Sequence, residues 1–343
     1  MCRYEEKEYR RAAAGGVGGR CFGVCGGAVP PSPYFAANDN GNDADGRTGC
    51  RADDGTSRRN GNDDGTCRGD CRTDFGRSGS ANDRYARNLH RAFPLQPVHF
   101  TVPDAENARG LSTKRIDHSF GVSKNGQPHF ISVERQKEFD LSGRKAIVYD
   151  NKTTENVLYL TFDCGYENGN TEKILDVLRE KGVPAAFFCT QFHIENAPAL
   201  IARMIREGHI VGNHSDTHPD FSSISRTRIA QELETVENTL RRDFGYSSRY
   251  FRFPEGAYSE SALDAVDALG FTSVFWSCAY ADWDTSNPKG KQYALETVTN
   301  RLHPGAVILL HAVSPDNAQA MRDIIDTARG LGYSFRSLDE LGK

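Results

Sequence analysis

The apolar stretch Val157-Leu158-Tyr159-Leu160-Thr161-Phe162 is followed directly by two polar residues, Asp163 and Cys164. A short apolar run of this kind predicts a strand that is buried on both faces. Similar runs alternate with amphipathic segments from this stretch to the end of the chain. The predicted strands are 157–162, 185–189, 210–212, 250–253, 273–278, 306–310 and 334–335, and the predicted helices are 172–181, 198–207, 225–243, 261–269, 293–302 and 317–331.

This strict alternation predicts an α/β fold. Seven strands separated by helices form a parallel sheet covered by helices, which is either open and doubly wound or closed into a barrel. Gly and Pro residues such as Gly182, Pro184 and Gly332 follow the predicted helices, as expected where a helix ends. Because no glycine-rich phosphate loop follows a predicted strand, we expect no nucleotide ligand.

The N-terminal segment has a different composition. Residues 1–88 contain no Leu and no Ile, but 16 of the 33 Gly and 6 of the 9 Cys. Such a segment cannot bury enough apolar surface to offset its ordering entropy, so we expect it to be disordered. We interpret its cysteine pairs, Cys21/Cys25 and Cys67/Cys71, as unpaired thiols rather than zinc ligands, because no His lies between them. The predicted organisation is a disordered, low-complexity segment at 1–93, a polar lead-in at 94–150 and a folded domain at 151–343.

The overall charge is nearly balanced. The 343 residues include 42 Lys+Arg and 46 Asp+Glu, for a formal net charge of -4. This balance provides no general attraction to nucleic acid or to an anionic membrane, so we expect no nucleic-acid partner. The printed sequence also shows neither a secretory signal nor an apolar run long enough to cross a membrane.

Polar side chains follow five of the predicted strands at their carboxyl ends, where parallel α/β folds place their chemistry. These residues are Asp163 with Cys164, His214 with His218, Arg252, Asp282 with Trp283, and His311. Because the carboxyl ends of parallel strands meet at one rim, we predict that these side chains form a single site.

His214 and His218 are four positions apart, which would bring two imidazoles together on one helical turn and suit a divalent cation. A purely structural pair is the alternative. Gly212-Asn213 before the pair and Pro219 after it indicate a rigid loop, which favours the metal site.

The remaining side chains predict acid–base chemistry. Asp163 next to Arg252 would remain ionised and could act as a base, although the two could also form a simple salt bridge. His311 ends an apolar strand, a position that favours acid–base use over mere packing. Asp282 is either part of a surface turn or a carboxylate that orients His311.

Five motifs occur in the order Thr161-Phe-Asp163-Cys-Gly-Tyr166, His214-Ser-Asp-Thr-His218, Arg252-Phe-Pro-Glu-Gly256, Asp282-Trp283 and Leu309-Leu-His311. Over about residues 118–343 the chain therefore resembles the polysaccharide deacetylases with a NodB homology domain, carbohydrate esterase family 4. It is most similar to the muramic-acid deacetylases that lead to muramic δ-lactam in spore peptidoglycan.

This resemblance implies a distorted (β/α) barrel of about seven parallel strands that hydrolyses an N-acetyl amide with one divalent metal ion. Zinc is the expected ion, with cobalt, manganese or magnesium as alternatives. By position, Asp163 would be the base that deprotonates water, and His311 would be the acid that protonates the leaving amine. His214 and His218 would bind the metal.

The resemblance also implies roles for the neighbouring residues. Arg252 would orient Asp163, and the backbone N–H of Glu255 would help to hold the oxyanion. Asp282 and Trp283 would position His311.

Cys164 departs from the family pattern, in which a metal-binding Asp, or Asn in the muramic subgroup, stands at this position. A Cys164 thiolate could ligate zinc, or the thiol could stay protonated while the two histidines and water hold the metal. We favour the second alternative, because the subgroup functions without a carboxylate there.

The expected substrate is N-acetylmuramic acid of peptidoglycan, and we expect a monomer. The alternatives are a deacetylase of another acetylated glycan, such as a chitin oligomer or an acetylxylan, and a non-catalytic glycan-binding module. Action on peptidoglycan places the protein in the cell envelope or outside the cell. Since no signal peptide is visible, we hypothesise that residues 1 to about 90 are not the native leader.

Overall fold

The structure is a computed structural model, and it describes residues 94–342. The predicted disordered segment 1–93 and its cysteine pairs lie outside the described residues. The strands are β1 Ile116–Asp117, β2 Ala146–Ile147, β3 Val157–Cys164, β4 Ala185–Cys189, β5 Ile210–Asn213, β6 Tyr250–Phe251, β7 Ala257–Tyr258, β8 Thr272–Val274, β9 Ala306–His311 and β10 Ser334–Phe335.

Within residues 94–342, eight of these strands form one parallel sheet. Its order is β10-β3-β4-β5-β6-β8-β2, and β9 also pairs with β3. All seven predicted strands belong to this sheet, so the predicted α/β class is confirmed. The additional strand, β2, contains only two residues and is too short to show a sequence pattern.

The sheet curls back on itself. Ile308 of β9, which pairs with β3, also forms a parallel bridge with Cys278 in the segment after β8. The backbone N–H of Leu309 donates to the Cys278 carbonyl at 2.8 Å. This contact between the two sides of the sheet produces the expected distorted barrel.

The two faces of β3 lie in different environments because successive side chains of a strand point in opposite directions. Tyr159 packs in the interior cluster with Phe188 and Trp276. Leu160 and its alternate neighbours, including Cys164, pack in a second cluster with residues of the surrounding helices. The alternation therefore places Asp163 on the interior side of the barrel and Cys164 on the outer side.

The helices are α1 Phe130–Leu141, α2 Thr171–Lys181, α3 Gln191–Asn196, α4 Pro198–Arg206, α5 Arg226–Phe244, α6 Glu260–Ala268, α7 Lys291–Thr299 and α8 Pro315–Gly330. All six predicted helices are present, with small differences at their ends. Both α2 and α5 end at a glycine in the left-handed region, Gly182 with φ 59° and Gly245 with φ 60°. None of the helices among the described residues is both long and apolar enough to cross a membrane.

The lead-in segment packs against the barrel. Strand β1 pairs with β7, and β2 pairs with β8. Helix α1 lies between β1 and β2 along the chain. Helix α1 is absent from the predicted elements because its buried residues include the polar Ser132 and Gln136, whereas Phe130 is exposed. Its buried face therefore has no apolar periodicity.

A buried carboxylate on α6 connects the lead-in to the helices. Asp264 is 5 % exposed and forms ion pairs with Arg109, Arg144 and Arg226. Burial alone would raise the pKa of Asp264, but hydrogen bonds from the three guanidinium groups lower it to about 2. The ionised carboxylate therefore stabilises the fold at neutral pH.

We expect Asp264→Asn to lower the free energy of unfolding at pH 7 by about 3–5 kcal/mol, because it removes the charge that compensates buried Arg226. The folded-state pKa is below the unfolded value, so this stabilisation is present above about pH 4 and is lost as the pH falls towards 2. Denaturant titrations should therefore show the difference between parent and variant shrinking on acidification. Asp267→Asn, which affects a more exposed pair with Lys145, is the control and should cost less than about 1 kcal/mol. A cost as small as this for Asp264→Asn would contradict the prediction.

Candidate active site

Strand register brings two of the predicted catalytic residues together. In the parallel pairing of β3 with β9, Asp163 lies directly opposite His311. Both residues stand at the carboxyl ends of their strands and are buried, each with 8 % of its surface exposed. The carboxylate and the imidazole therefore line the same end of the barrel, although 147 residues separate them along the chain.

Arg252 holds Asp163 in place. The Arg252 side chain is fully buried, and its Nη1 donates to Asp163 Oδ1 at 2.8 Å. Its remaining N–H groups donate to Thr161 Oγ1 and to the carbonyls of Val274 and Phe275, at 2.8–3.2 Å. Because the guanidinium is bound on several sides, it presents a fixed positive charge to Asp163.

The charge of Asp163 is maintained in spite of its burial. Burial by itself would raise the pKa of this carboxyl, but Arg252, His214 and His311 outweigh that effect and hold the pKa below its ordinary value. Asp163 is therefore ionised at neutral pH and can accept a proton or contact a cation.

His214 and His218 lie in the loop that follows β5, and not on a helical turn as their spacing suggested. Their rings are 5.0 Å apart between centroids and nearly perpendicular. Ser215 and His218 both adopt left-handed φ values, 72° and 55°. The Ser215 N–H donates to Asn213 Oδ1, and the His218 N–H donates to Ser215 Oγ, which stabilises this strained loop.

The orientation of His214 suits a metal ligand. Its Nδ1 lies 2.9 Å from the Arg252 carbonyl, and because a carbonyl only accepts, Nδ1 must carry the proton. The lone pair is then on Nε2, which lies 3.7 Å from Asp163 Oδ2. Two imidazoles next to a carboxylate, with one ring fixed by a backbone carbonyl, are an appropriate donor set for one divalent ion.

His311 is held in position by the Asp282 carboxylate. Its Nδ1 and its backbone N–H both contact the Asp282 carboxylate, each at 2.7 Å. The sequence indicated Asp282 but not Asn317, whose amide donates to Asp282 and to the His311 carbonyl. Tyr280 in turn donates to Asn317 at 2.6 Å. Asn317 lies in the first turn of α8, whose N-cap is Ser314, and a polar residue there is common, so no sequence signal distinguished it.

Glu255 and Trp283 complete the set of predicted residues. Glu255 has a left-handed backbone, φ 56° and ψ 3°, and its side chain pairs with Arg115 at 3.1 Å. Trp283 is half-buried and follows Asp282 in the loop after β8. Arg115, which the sequence did not indicate, also pairs with Asp117 and Asp220.

Cys164 lies on the outer side of the sheet, away from Asp163. Its Sγ is grouped with Cys189 Sγ and a ring nitrogen of His193, all within 4.8 Å of one another. Burial and the neighbouring Cys189 raise the pKa of the Cys164 thiol well above its ordinary value. Among the described residues, the structure therefore gives no geometric support for Cys164 sharing an ion with His214 and His218.

Comparison with known proteins shows which family the chain resembles. The sequence pattern of the family described as polysaccharide deacetylase matches residues 150–274. The chain is 40% identical over 238 residues to the Bacillus subtilis peptidoglycan-N-acetylmuramic acid deacetylase PdaA, covering 69% of this chain and 89% of that protein. It is 33% identical over 199 residues to a chitooligosaccharide deacetylase of a Bradyrhizobium species, covering 57% and 90%.

The three-dimensional comparison identifies the same relative. The solved structure of Bacillus subtilis PdaA, described as a family 4 carbohydrate esterase, matches with a TM-score of 0.64 and 40% identity. The match covers 67% of this chain and 98% of that one. With this identity, this coverage and the same barrel, the chain belongs to the polysaccharide deacetylases of carbohydrate esterase family 4, a family of hydrolases.

Proposed function

We propose that this protein hydrolyses the N-acetyl amide of N-acetylmuramic acid in peptidoglycan. The observation that carries the proposal is the pairing of Asp163 with His311 across β3 and β9, beside His214 and His218. This arrangement supplies a base, an acid and a cation site at one end of the barrel. The muramic substrate is supported by the 40% identity to PdaA, which is named as an N-acetylmuramic acid deacetylase.

In the proposed reaction, ionised Asp163 takes a proton from the attacking water, whose oxygen bonds to the acetyl carbon. Arg252 keeps the carboxylate charged and oriented through the 2.8 Å contact. The C–N bond then breaks, and His311 donates a proton to the departing amine. The products are acetate and a glycan with a free amine.

Asp282 determines which nitrogen of His311 is available. A carboxylate only accepts, so His311 Nδ1 carries a proton and directs it to Asp282, which leaves Nε2 to carry the transferred proton. The carboxylate also stabilises the protonated ring. We further propose that the Glu255 backbone N–H helps to hold the oxyanion and that Trp283 packs beside His311.

His214 and His218 would hold one divalent ion, for which zinc is our first choice and cobalt, manganese or magnesium are the alternatives. A bound ion supplies Lewis acidity, which polarises the acyl oxygen and lowers the pKa of water. Cys164 is not part of this site in the proposal, because it lies on the other side of β3. The two histidines and solvent would complete the coordination.

The proposed substrate also suggests a location and a biological role. Peptidoglycan lies in the cell envelope, so we propose that the protein acts there or outside the cell. Its product, muramic acid with a free amine, is the chemical precursor of muramic δ-lactam in spore peptidoglycan. We therefore place the reaction before lactam closure.

A second candidate substrate is a chitin oligomer, which is favoured by the 33% identity to a chitooligosaccharide deacetylase. The same acid–base pair would serve both substrates, because each contains an N-acetyl amide on a sugar. A non-catalytic glycan-binding module is disfavoured, since Asp163 and His311 are both present and lie opposite each other in the pairing of β3 with β9.

The test is mass spectrometry of peptidoglycan fragments before and after incubation with the purified full chain. We expect the loss of one acetyl group from muramic residues, while N-acetylglucosamine residues keep theirs. Chitin oligomers are tested in parallel, and the His311→Ala protein provides the inactive control. Deacetylation of chitin oligomers alone would replace the muramic proposal with the second candidate, and inactivity on all substrates would contradict both.

A further inference from the structure

A second group of potential metal ligands lies on the outer side of the barrel wall, behind the catalytic strand end. Cys164 Sγ, Cys189 Sγ and a ring nitrogen of His193 are all within 4.8 Å of one another. Each of these residues is completely buried, with 0 % of its surface exposed. The group is separate from His214 and His218, because Cys164 points to the opposite side of β3 from Asp163.

Secondary structure holds the three side chains in fixed positions. Cys164 ends β3 and Cys189 ends β4, and the two residues face each other directly in the parallel pairing. His193 lies in the first turn of α3, whose N-cap Thr190 accepts from the His193 N–H at 3.2 Å. Two strand ends and one helix start therefore converge on a single point.

Several buried polar atoms at this point lack hydrogen bonds to any described residue, although the Cys189 thiol donates to the Phe187 carbonyl at 3.6 Å. Among residues 94–342, neither ring nitrogen of His193 has a well-formed hydrogen bond, although the backbone of Tyr166 lies near the ring. Within the same described range, Glu167 Oε2 is also buried without a hydrogen bond, while Oε1 accepts from the backbone of Gly169 and Asn170. Such groups are rare in native proteins and call for a ligand or bound water.

The Glu167 carboxylate lies near the group, although its oxygens are not among the three ligand atoms that lie within 4.8 Å of one another. This carboxylate interacts electrostatically with both Cys164 and His193. A carboxylate oxygen, an imidazole and two sulfurs are all ligand types that zinc accepts in proteins. The three buried side chains are therefore a suitable donor set for zinc, and the nearby carboxylate adds negative charge beside them.

We propose that Cys164, Cys189 and His193 form a structural site for one thiophilic divalent ion, with zinc as the ion that best fits this donor set. Zinc–sulfur and zinc–nitrogen bonds of about 2.3 and 2.0–2.1 Å place tetrahedral ligands roughly 3.3–3.8 Å apart, which is compatible with atoms already within 4.8 Å. Binding requires that both thiols lose their protons to solvent. The two thiolates then balance the charge of the ion, in a group that also contains a neutral imidazole.

The site would stabilise the loop between β3 and α2. Cys164 leads directly into this loop, and the side chains of Asn168 and Asn170 donate to the Val313 carbonyl at 2.8 and 3.0 Å. Val313 lies two residues after His311. If the proposed function holds, the outer ion would support both Asp163, next to Cys164, and the segment that carries His311.

The experiment measures bound zinc in the full chain, with the six cysteines of residues 1–93 replaced by Ser so that they cannot contribute. The protein is expressed with added zinc, because a buried site is loaded most readily while the chain folds. Dialysis then removes loosely bound zinc. In a His214→Ala/His218→Ala background, we expect one zinc ion to remain per chain. Cys189→Ser in this background should remove it, whereas Cys278→Ser, the matched change at another buried cysteine, should not.

Expression with cobalt supplies a readout that is independent of activity. A thiolate-bound cobalt ion gives a sulfur-to-metal charge-transfer band, which should be present in the His214→Ala/His218→Ala protein and absent after Cys189→Ser. His193→Gln is included in case Cys189→Ser fails to fold, and it should weaken zinc affinity by more than about tenfold, since loss of an outer-sphere partner alone costs that much.

The absence of both zinc and the charge-transfer band from the folded His214→Ala/His218→Ala protein would overturn the proposal, and buried water would then be the partner of His193. Retention of zinc after Cys189→Ser would overturn it as well. Neither result depends on deacetylase activity. Failure of this site is therefore distinguishable from failure of the proposed function.

Discussion

Replacing His214 or His218 by Ala is expected to abolish deacetylase activity and to remove one bound metal ion per chain, with the fold retained. His214 is the more constrained of the two, because the Arg252 carbonyl fixes its tautomer and leaves Nε2 for the ion. Loss of one of only two protein imidazoles leaves too few ligands for stable binding. Elemental analysis and activity on peptidoglycan fragments measure the two effects together.

The control for these variants is His99→Ala, which changes an imidazole that is 84% exposed and pairs with Glu234 at the surface. It should retain full metal content and activity. Circular dichroism and thermal melting establish that each variant is folded. A folded His218→Ala protein with unchanged metal content and activity would show that the metal site proposed at His214 and His218 is assigned to the wrong residues.

The second large effect is expected for His311→Ala. As the proposed general acid, His311 should contribute about 10²–10⁴-fold to kcat, and its loss should leave the metal content unchanged. The geometry supports separate roles for His311 in acid catalysis and for His214 in metal binding. His311 Nδ1 is bound to Asp282, whereas His214 Nε2 lies near Asp163. Steady-state kinetics on one peptidoglycan fragment, with metal analysis of the same sample, measures both quantities.

Asn317→Ala provides a graded comparison. Asn317 would act only through Asp282 and His311, so we expect a smaller loss of about 10–100-fold, in kcat rather than in KM. Asn317→Asp adds a negative charge beside Asp282 and should shift the pH profile of kcat, which a purely structural contact would not do. An equal loss of metal and activity in His311→Ala would instead identify His311 as a ligand.

Much of this fold could be predicted because its pattern is local. The apolar runs at 157–162 and 306–310 mark buried strands wherever they occur, and the segments between them show helical periodicity. Parallel strands that alternate with helices place all their carboxyl ends at one rim. The grouping of Asp163, His311 and Arg252 therefore followed from the order of the elements and was independent of exact geometry.

Other features depend on contacts between distant parts of the chain. The spacing of His214 and His218 suggested a helical turn, but the left-handed residues Ser215 and His218 bring the rings together in a loop. The hydrogen bond from Asn317 to Asp282 depends on how α8 packs against the end of β9. No local periodicity encodes either arrangement.

Cys164 shows the division most clearly. The sequence by itself determined that a cysteine follows the Asp163 carboxylate at the end of a strand, and the twofold alternation of a strand separates the two side chains. Only the tertiary structure decided what Cys164 contacts, because Cys189 belongs to the next strand and His193 to the helix after it. Sequence periodicity determines which face a side chain occupies, whereas strand register and helix packing determine its neighbours there.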